Sequence, residues 1–229
     1  MTLLESFGSE QTKKVLSRHG AREPFFGVKI GDLKKIQKKT GKAYQLALEL
    51  FDTGNSDAMY LAAMIADEES LTKKDLRKWA RKANWSMLSE YAVGQVAAET
   101  KHGWELGLEW IESPKENIST SGWSTLSNII STAPNETLDL ETIESHLQRI
   151  EKAIHQSKNR EKYAMSGYVV CVACYVEALH NKAIATAERI GELEVETATP
   201  GCSPPNMIGD INKVVSKGRL GKKRKRARC

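Results

Sequence analysis

Along this chain apolar residues recur three and four positions apart, and strict alternation beyond a few residues is rare. That period gathers side chains on one stripe of an α-helix rather than on one face of a strand. Leu33 and Ile36 mark one such stripe, and Leu76, Trp79 and Ala80 mark another. Read through, the pattern predicts helices near 3–18, 32–40, 43–53, 57–67, 73–83, 86–100, 103–112, 116–132, 140–157, 160–180, 182–192 and 207–217. A short strand at 193–197 ("LEVET") is the one exception. No proline interrupts the window between Pro24 and Pro114, so nothing there breaks a helix by removing an N–H. Ser56 and Thr72 suit N-caps, with Asp75 completing a Thr-x-x-Asp pattern, and Gly20, Gly41 and Gly54 suit C-terminal turns.

The segment "DLKKIQKKTGKAY" from Asp32 is echoed by "DLRKWARKANWSM" from Asp75, an offset of 43 residues. HEAT and armadillo helical repeats run at about 40–47 residues. A helix pair of that kind cannot cover its apolar stripe alone, so neighbours stack into a curved solenoid. The expected fold is therefore all-α, a curved solenoid of HEAT-like antiparallel helix pairs over 1–200. A C-terminal helix and basic tail follow over 201–229. An irregular helical bundle is the alternative, because segments near 103–132 and 140–180 do not keep the motif or the offset.

Charge changes this picture. The chain carries 34 Lys and Arg against 29 Asp and Glu, but residues 213–229 hold nine of the cations and no acid. The remainder is left with 25 cations against 29 anions, which excludes a uniformly basic coat but not a patterned one. Lys34, Lys35, Lys38 and Lys39, then Arg77, Lys78, Arg81 and Lys82, form rows beside the two apolar stripes. Like charges four apart cost a few tenths of a kcal/mol per pair in an isolated helix, a cost that a polyanion would remove. A solvated helix face is the plainer alternative. In stacked repeats equivalent positions line one surface, so the two rows are expected to follow one phosphate backbone. The tail "GRLGKKRKRARC", with Lys222, Lys223, Arg224 and Arg226, is too polar to build a core and is expected to be mobile until it meets an anion.

Other chemistry is scarce. Cys171 and Cys174 lie in "YVVCVACYV", an apolar helical run, and read as buried small hydrophobes. Cys202 and Cys229 lie in irregular segments with no assignable role, and no metal or cofactor is expected. No run of 18 apolar residues and no basic-then-apolar leader is present, so a soluble cytoplasmic monomer is the expectation.

In "FFGVKIGDLKKIQKK" (25–39), "DLRKWARKANWSMLS" (75–89), "GLEWIESPKENISTSGW" (107–123) and "MSGYVV" (165–170), the chain resembles the AlkD-like DNA alkylation repair family. The match covers most of residues 20–190. The resemblance implies a HEAT-like DNA glycosylase fold acting on N3- or N7-alkylated purines in double-stranded DNA, alkylated or otherwise distorted. It places Trp85 at one family aromatic and Tyr168 where a tryptophan is usual. Two positions depart. The catalytic aspartate should come four residues after the first aromatic, where Ser89 stands, with Glu90 next to it as the candidate carboxylate. The phosphate-gripping arginine should fall near 119–123, yet no arginine lies between Arg81 and Arg149. A carboxylate beside the sugar would stabilise the oxocarbenium-like transition state, and its loss costs about 3–4 kcal/mol by comparison with an oxyanion-hole donor. The expected DNA contacts are thus Trp85, Ser89, Tyr168, Lys34, Lys35, Lys38, Arg77, Lys78, Arg81 and the tail cations, with activity like that of the active members doubtful. A helical scaffold for a protein or peptide, and an RNA- or ribosome-binding protein led by its tail, remain as rival classes.

Overall fold

The computed structural model describes residues 1–197 and 203–228, and its regular elements are all helical. They are α1 (Thr2–Phe7), α2 (Glu10–Arg18), α3 (Ile30–Thr40), α4 (Tyr44–Asp52), α5 (Ser56–Ile65), α6 (Lys73–Lys82), α7 (Ser86–Leu88), α8 (Gly94–Ala98), α9 (Gly103–Trp110), α10 (Glu116–Thr132), α11 (Leu140–Ala153), α12 (Asn159–Tyr175), α13 (His180–Ile190) and α14 (Met207–Val215). A π-helical turn over Ser89–Val93 joins α7 to α8. The predicted first helix is broken at Gly8, which sits opposite Val28 in an isolated β-bridge. Segment 193–197 is not a strand among the described residues. No second strand faces it, and its Glu196 N–H instead donates to the Asn159 side chain.

Local chemistry sets the helix ends. Thr72 and Asp75 form a reciprocal capping box at the start of α6. Asn55, one residue before the expected Ser56, caps α5 by accepting from the N–H groups of Asp57 and Ala58. Gly20, Gly41 and Gly54 take positive φ at their turns, as expected.

The helices form two rows. The inner row runs α3, α5, α7–α8, α10, α12, α14, each packing on the next. The outer row runs α4, α6, α9, α11, α13, and its members start at residues 44, 73, 103, 140 and 180. Those starts are 29, 30, 37 and 40 residues apart. The true structural period is therefore shorter than the 43-residue echo in the sequence. Ion pairs link each outer helix to its neighbour: Lys78 and Lys82 to Asp52, Lys73 to Glu105, Arg77 to Glu109, Arg149 to Glu112, Lys182 to Glu144 and Arg189 to Glu151.

Apolar stripes of both rows meet between them in two clusters, one from Leu4 to Trp110 and one from Ile111 to Ile211. Phe51 and Trp79 stack at 4.2 Å in the first, fixing α4 against α6. The family-like run 107–123 turns out to be a packing device. A Cβ on Gly122 would meet the Ile111 backbone N at 2.7 Å, and one on Gly107 would meet Leu126 Cδ2 at 2.7 Å. Only glycine lets α9 and α10 approach this closely.

Candidate nucleic-acid interface

The N-terminal portions of the inner helices open onto a cleft of about 1210 Å³. α7 contributes Ser86 and its preceding residue Trp85, α10 contributes Asn117 and Thr120, and α12 contributes Asn159, Arg160 and Tyr163. Across from them stand Arg18 and His19 at the end of α2, Arg22 in the following loop, and Arg81 near the end of α6. The side chains of Arg18, Arg22 and Arg81 are exposed and form no ion pair or hydrogen bond among the described residues. The helix starts add partial positive charge of their own at this end. Counting lining residues alone, four arginines face two carboxylates, Glu116 and Glu196.

The break after α6 places Trp85 in this cleft. The Asn117 side chain donates to the carbonyls of Ala80 and Ala83, at 2.8 and 2.9 Å, closing α6 at Lys82. Trp85 then takes an extended conformation, and α7 starts immediately after it. Its ring is half-buried, while its indole N–H has no protein partner.

Below Trp85 lies the position where a catalytic carboxylate is expected. Ser89 is buried, receives the Thr120 hydroxyl at 3.2 Å and donates to the Ser86 carbonyl. Glu90 is in the π-turn, and Arg160 grips both its oxygens: Nε to Oε1 at 3.0 Å, and Nη2 to Oε1 at 2.8 Å and to Oε2 at 2.6 Å. Burial pushes the Glu90 carboxyl up, against the pull of the Arg160 charge. Arginine does not release its proton in proteins, and a neutral Glu90 would strand a buried cation, so the ionised pair is the form held at neutral pH. Arg160 also lies over the Tyr163 ring at 4.6 Å. Sequence patterns did not reveal Arg160, because it is 70 residues from Glu90 and joins it only because α12 packs on α10, which lies against the π-turn.

Several expected contacts lie elsewhere. Tyr168 is fully buried: its hydroxyl meets His146 Nδ1 at 3.0 Å, and its ring packs edge-on against Trp123 at 5.2 Å. It is a core residue, not a groove aromatic. The two cationic rows do not share a surface, since α3 belongs to the inner row and α6 to the outer. Arg77 and Lys78 are spent on Glu109 and Asp52, and of the α6 row only Arg81 reaches the cleft. Lys35 pairs with Asp32 on its own helix. Lys34 borders a small hollow with Tyr60, Tyr91 and Arg228, next to the cleft that Tyr60 and Tyr91 also line. Lys38 is exposed.

Nor is the tail free. Lys223 donates to the Ile130 carbonyl, and Arg224 binds the Asn128 side chain and the Ala227 carbonyl. Lys222 and Arg226 point to solvent. Cys174 is buried and Cys171 partly so, with burial pushing their thiols to about 11 and about 12, as inert packing groups. Cys202 and Cys229 lie outside the described residues. Among the described residues no cluster of His, Cys, Asp or Glu could hold a metal, and no helix is long and apolar enough to cross a membrane.

A two-row helical solenoid of this kind is the fold of HEAT-like repeat proteins related to DNA glycosylases. The chain belongs to the DNA alkylation repair enzyme family, whose sequence model matches residues 1–191. It is similar over its whole length to a solved structure described as a new family of proteins related to the HEAT-like repeat DNA glycosylases with affinity for branched DNA structures. That match has a TM-score of 0.92 and 36% identity, and covers 97% of the other chain. An uncharacterized protein of Listeria innocua is 30% identical over 218 residues, covering 93% of this chain and 94% of the relative. One from Listeria monocytogenes is 29% identical over the same span.

Proposed function

We propose that this protein binds DNA through the arginine-lined cleft without cleaving the glycosidic bond. The observation that carries this is the Glu90–Arg160 pair at the place where an unpaired carboxylate would be needed. Two unit charges 4 Å apart at an effective dielectric of 20 interact by about 4 kcal/mol, enough to matter for a cationic transition state. A carboxylate already neutralised by a bidentate guanidinium supplies only a dipole. With Ser89 four residues after Trp85, the other carboxylates of the cleft are Glu116, which accepts from the Arg160 backbone N–H, and Glu196 on the far segment after α13. What remains is a binding cleft: unpaired Arg18, Arg22 and Arg81 for phosphates, and Trp85, Tyr91 and Tyr163 for exposed base faces. The structural neighbour's affinity for branched DNA favours junctions, where unstacked bases are available, as the preferred form.

The test is binding of labelled linear duplex and four-way junction DNA between 50 and 200 mM salt. The log of affinity is expected to fall steeply with log salt, and Arg18→Ala, Arg22→Ala and Arg81→Ala combined should flatten that slope by about 2–3. No N7-methylguanine should be released from methylated duplex. Binding indifferent to salt would overturn the DNA reading. Release that disappears in Glu90→Gln would overturn the absence of catalysis.

A further inference from the structure

The cleft lies at the N-terminal end of the inner helices, and the opposite end is covered by the tail. After α14 the chain crosses the C-terminal ends of four inner helices in turn. Gly221 N–H donates to the Cys174 carbonyl at the end of α12. Arg224 N–H donates to Ser131 and Lys223 to Ile130, both at the end of α10. Arg228 then binds Glu99 just after α8, and the carbonyls of Ala63 and Ala66 with Glu68 at the end of α5. Ala227 is fully buried beneath this strap.

Without the strap this edge would repel a polyanion. Helix C-termini carry partial negative charge, and Glu68, Glu99, Glu136 and Glu177 stand along it. The strap brings eight cations between Lys217 and Arg228 to those four carboxylates, which reverses the sign. It also sorts them. Of the six from Lys222 onward, Lys223, Arg224 and Arg228 bond to the body, whereas the side chains of Lys222, Lys225 and Arg226 are exposed and form no hydrogen bond or ion pair among the described residues. A tail needed only as a staple would have no use for three further cations held outward at fixed positions. Along α10 the strap's contacts at Ile130 and Ser131 stand about 15–21 Å beyond the cleft-lining Thr120 and Asn117, whereas at α5 Arg228 shares a small hollow with Tyr60 and Tyr91 of the cleft.

We infer that the strapped edge is a second phosphate-binding surface, which takes the backbone of a second duplex arm while the cleft holds the first. The inference rests on the DNA-binding reading above and adds where the second arm sits. A protein with two cationic surfaces at opposite ends of its inner helices suits a nucleic acid that offers two backbones at once, which a single straight duplex does not.

The experiment compares wild type with Lys222→Ala/Lys225→Ala/Arg226→Ala, using a four-way junction and a linear duplex matched to one arm. These side chains are exposed and form no hydrogen bond or ion pair among the described residues, so melting temperature should not change. Junction affinity is expected to fall at least tenfold at 0.1 M salt, and its salt slope to drop by about 2–3, one unit per lost phosphate contact. Linear duplex binding should hold within twofold. Unchanged junction affinity and slope would overturn the second surface. An equal loss on both substrates would put the strap on the same arm as the cleft, and overturn the two-arm assignment. Failure of wild type to bind either DNA would instead refute the DNA-binding reading itself.

Discussion

Arg228→Ala tests the strap most severely, because one side chain joins the chain's end to two helices in its first half. The guanidinium donates to the carbonyls of Ala63 at 2.9 Å and Ala66 at 2.8 Å, to Glu68 at 2.6 Å, and to Glu99. Its side chain is 12% exposed, and those of Glu68 and Glu99 are 20% and 17% exposed. Truncation therefore leaves two mostly buried carboxylates and two carbonyls facing a vacated space. Removing one partner of a fully buried pair costs about 3–5 kcal/mol. Lys42 still reaches Glu68, and solvent can enter where the arginine was, so about 2–4 kcal/mol is the expected loss.

Unfolding entropy near 60 °C amounts to about 0.5 kcal/mol per degree for 229 residues, so the melting temperature should drop by about 4–8 °C. The assay is calorimetric melting together with a urea titration. Adding Glu99→Gln to the truncated chain should restore part of the loss by removing one stranded charge. Arg228→Lys should fall between wild type and alanine, since an ammonium keeps the charge but cannot span both carboxylates and both carbonyls. A melting shift under 1 °C for Arg228→Ala, with no rescue by Glu99→Gln, would mean that the strap is not held by this cage.

Three further outcomes follow from contacts elsewhere in the fold. Arg77→Ala/Lys78→Ala should leave DNA affinity and salt slope unchanged and cost at most about 1 kcal/mol per exposed pair, read by urea midpoint and DNA titration. The pairs of that outer row hold Asp52, Glu105 and Glu151 below the ordinary carboxylate range, through Lys78 with Lys82, Lys73 and Arg189 respectively. The unfolded chain then binds more protons below about pH 4.5, so this contribution is complete at neutral pH and fades as pH falls through the folded values, visible as a falling urea midpoint. Tyr168→Phe should cost about 1–3 kcal/mol by leaving His146 Nδ1 unpaired in the core, with DNA affinity within twofold of wild type. A loss of DNA affinity without a loss of stability would return Tyr168 to the binding surface.

Helices were legible because their signals are local. The 3.6-residue stripe and the flanking caps lie within one element, and α10 occupies the predicted 116–132. Row membership was not legible. α3 and α6 share one pattern, an apolar stripe flanked by cations, and the pattern says which residues face the core without saying what lies beyond the others. For Arg77 and Lys78 the answer is Glu109 and Asp52, 32 and 26 residues away, brought alongside only by stacking. The echo at 43 residues thus joined an inner helix to an outer one.

The tail and the cleft failed to be legible for a related reason. Composition shows that "GKKRKRARC" cannot make a core, and mobility follows if its cations find no partners within the chain. Arg228 finds them 129 to 165 residues earlier, in helix-end carbonyls and carboxylates that only the assembled inner row brings together. The same argument covers the Glu90–Arg160 pair. A motif search looks for a carboxylate at a fixed spacing from Trp85, and the chain does offer one, a single residue late. Whether that carboxylate is a free counter-charge or half of an ion pair depends on α12, 70 residues on, and no spacing around Trp85 encodes it. In a stacked-helix protein, then, the charge available to a ligand is whatever the neighbouring helices leave unpaired. Here that includes Arg18, Arg22 and Arg81 toward the N-terminal ends of the inner helices and Lys222, Lys225 and Arg226 toward their C-terminal ends.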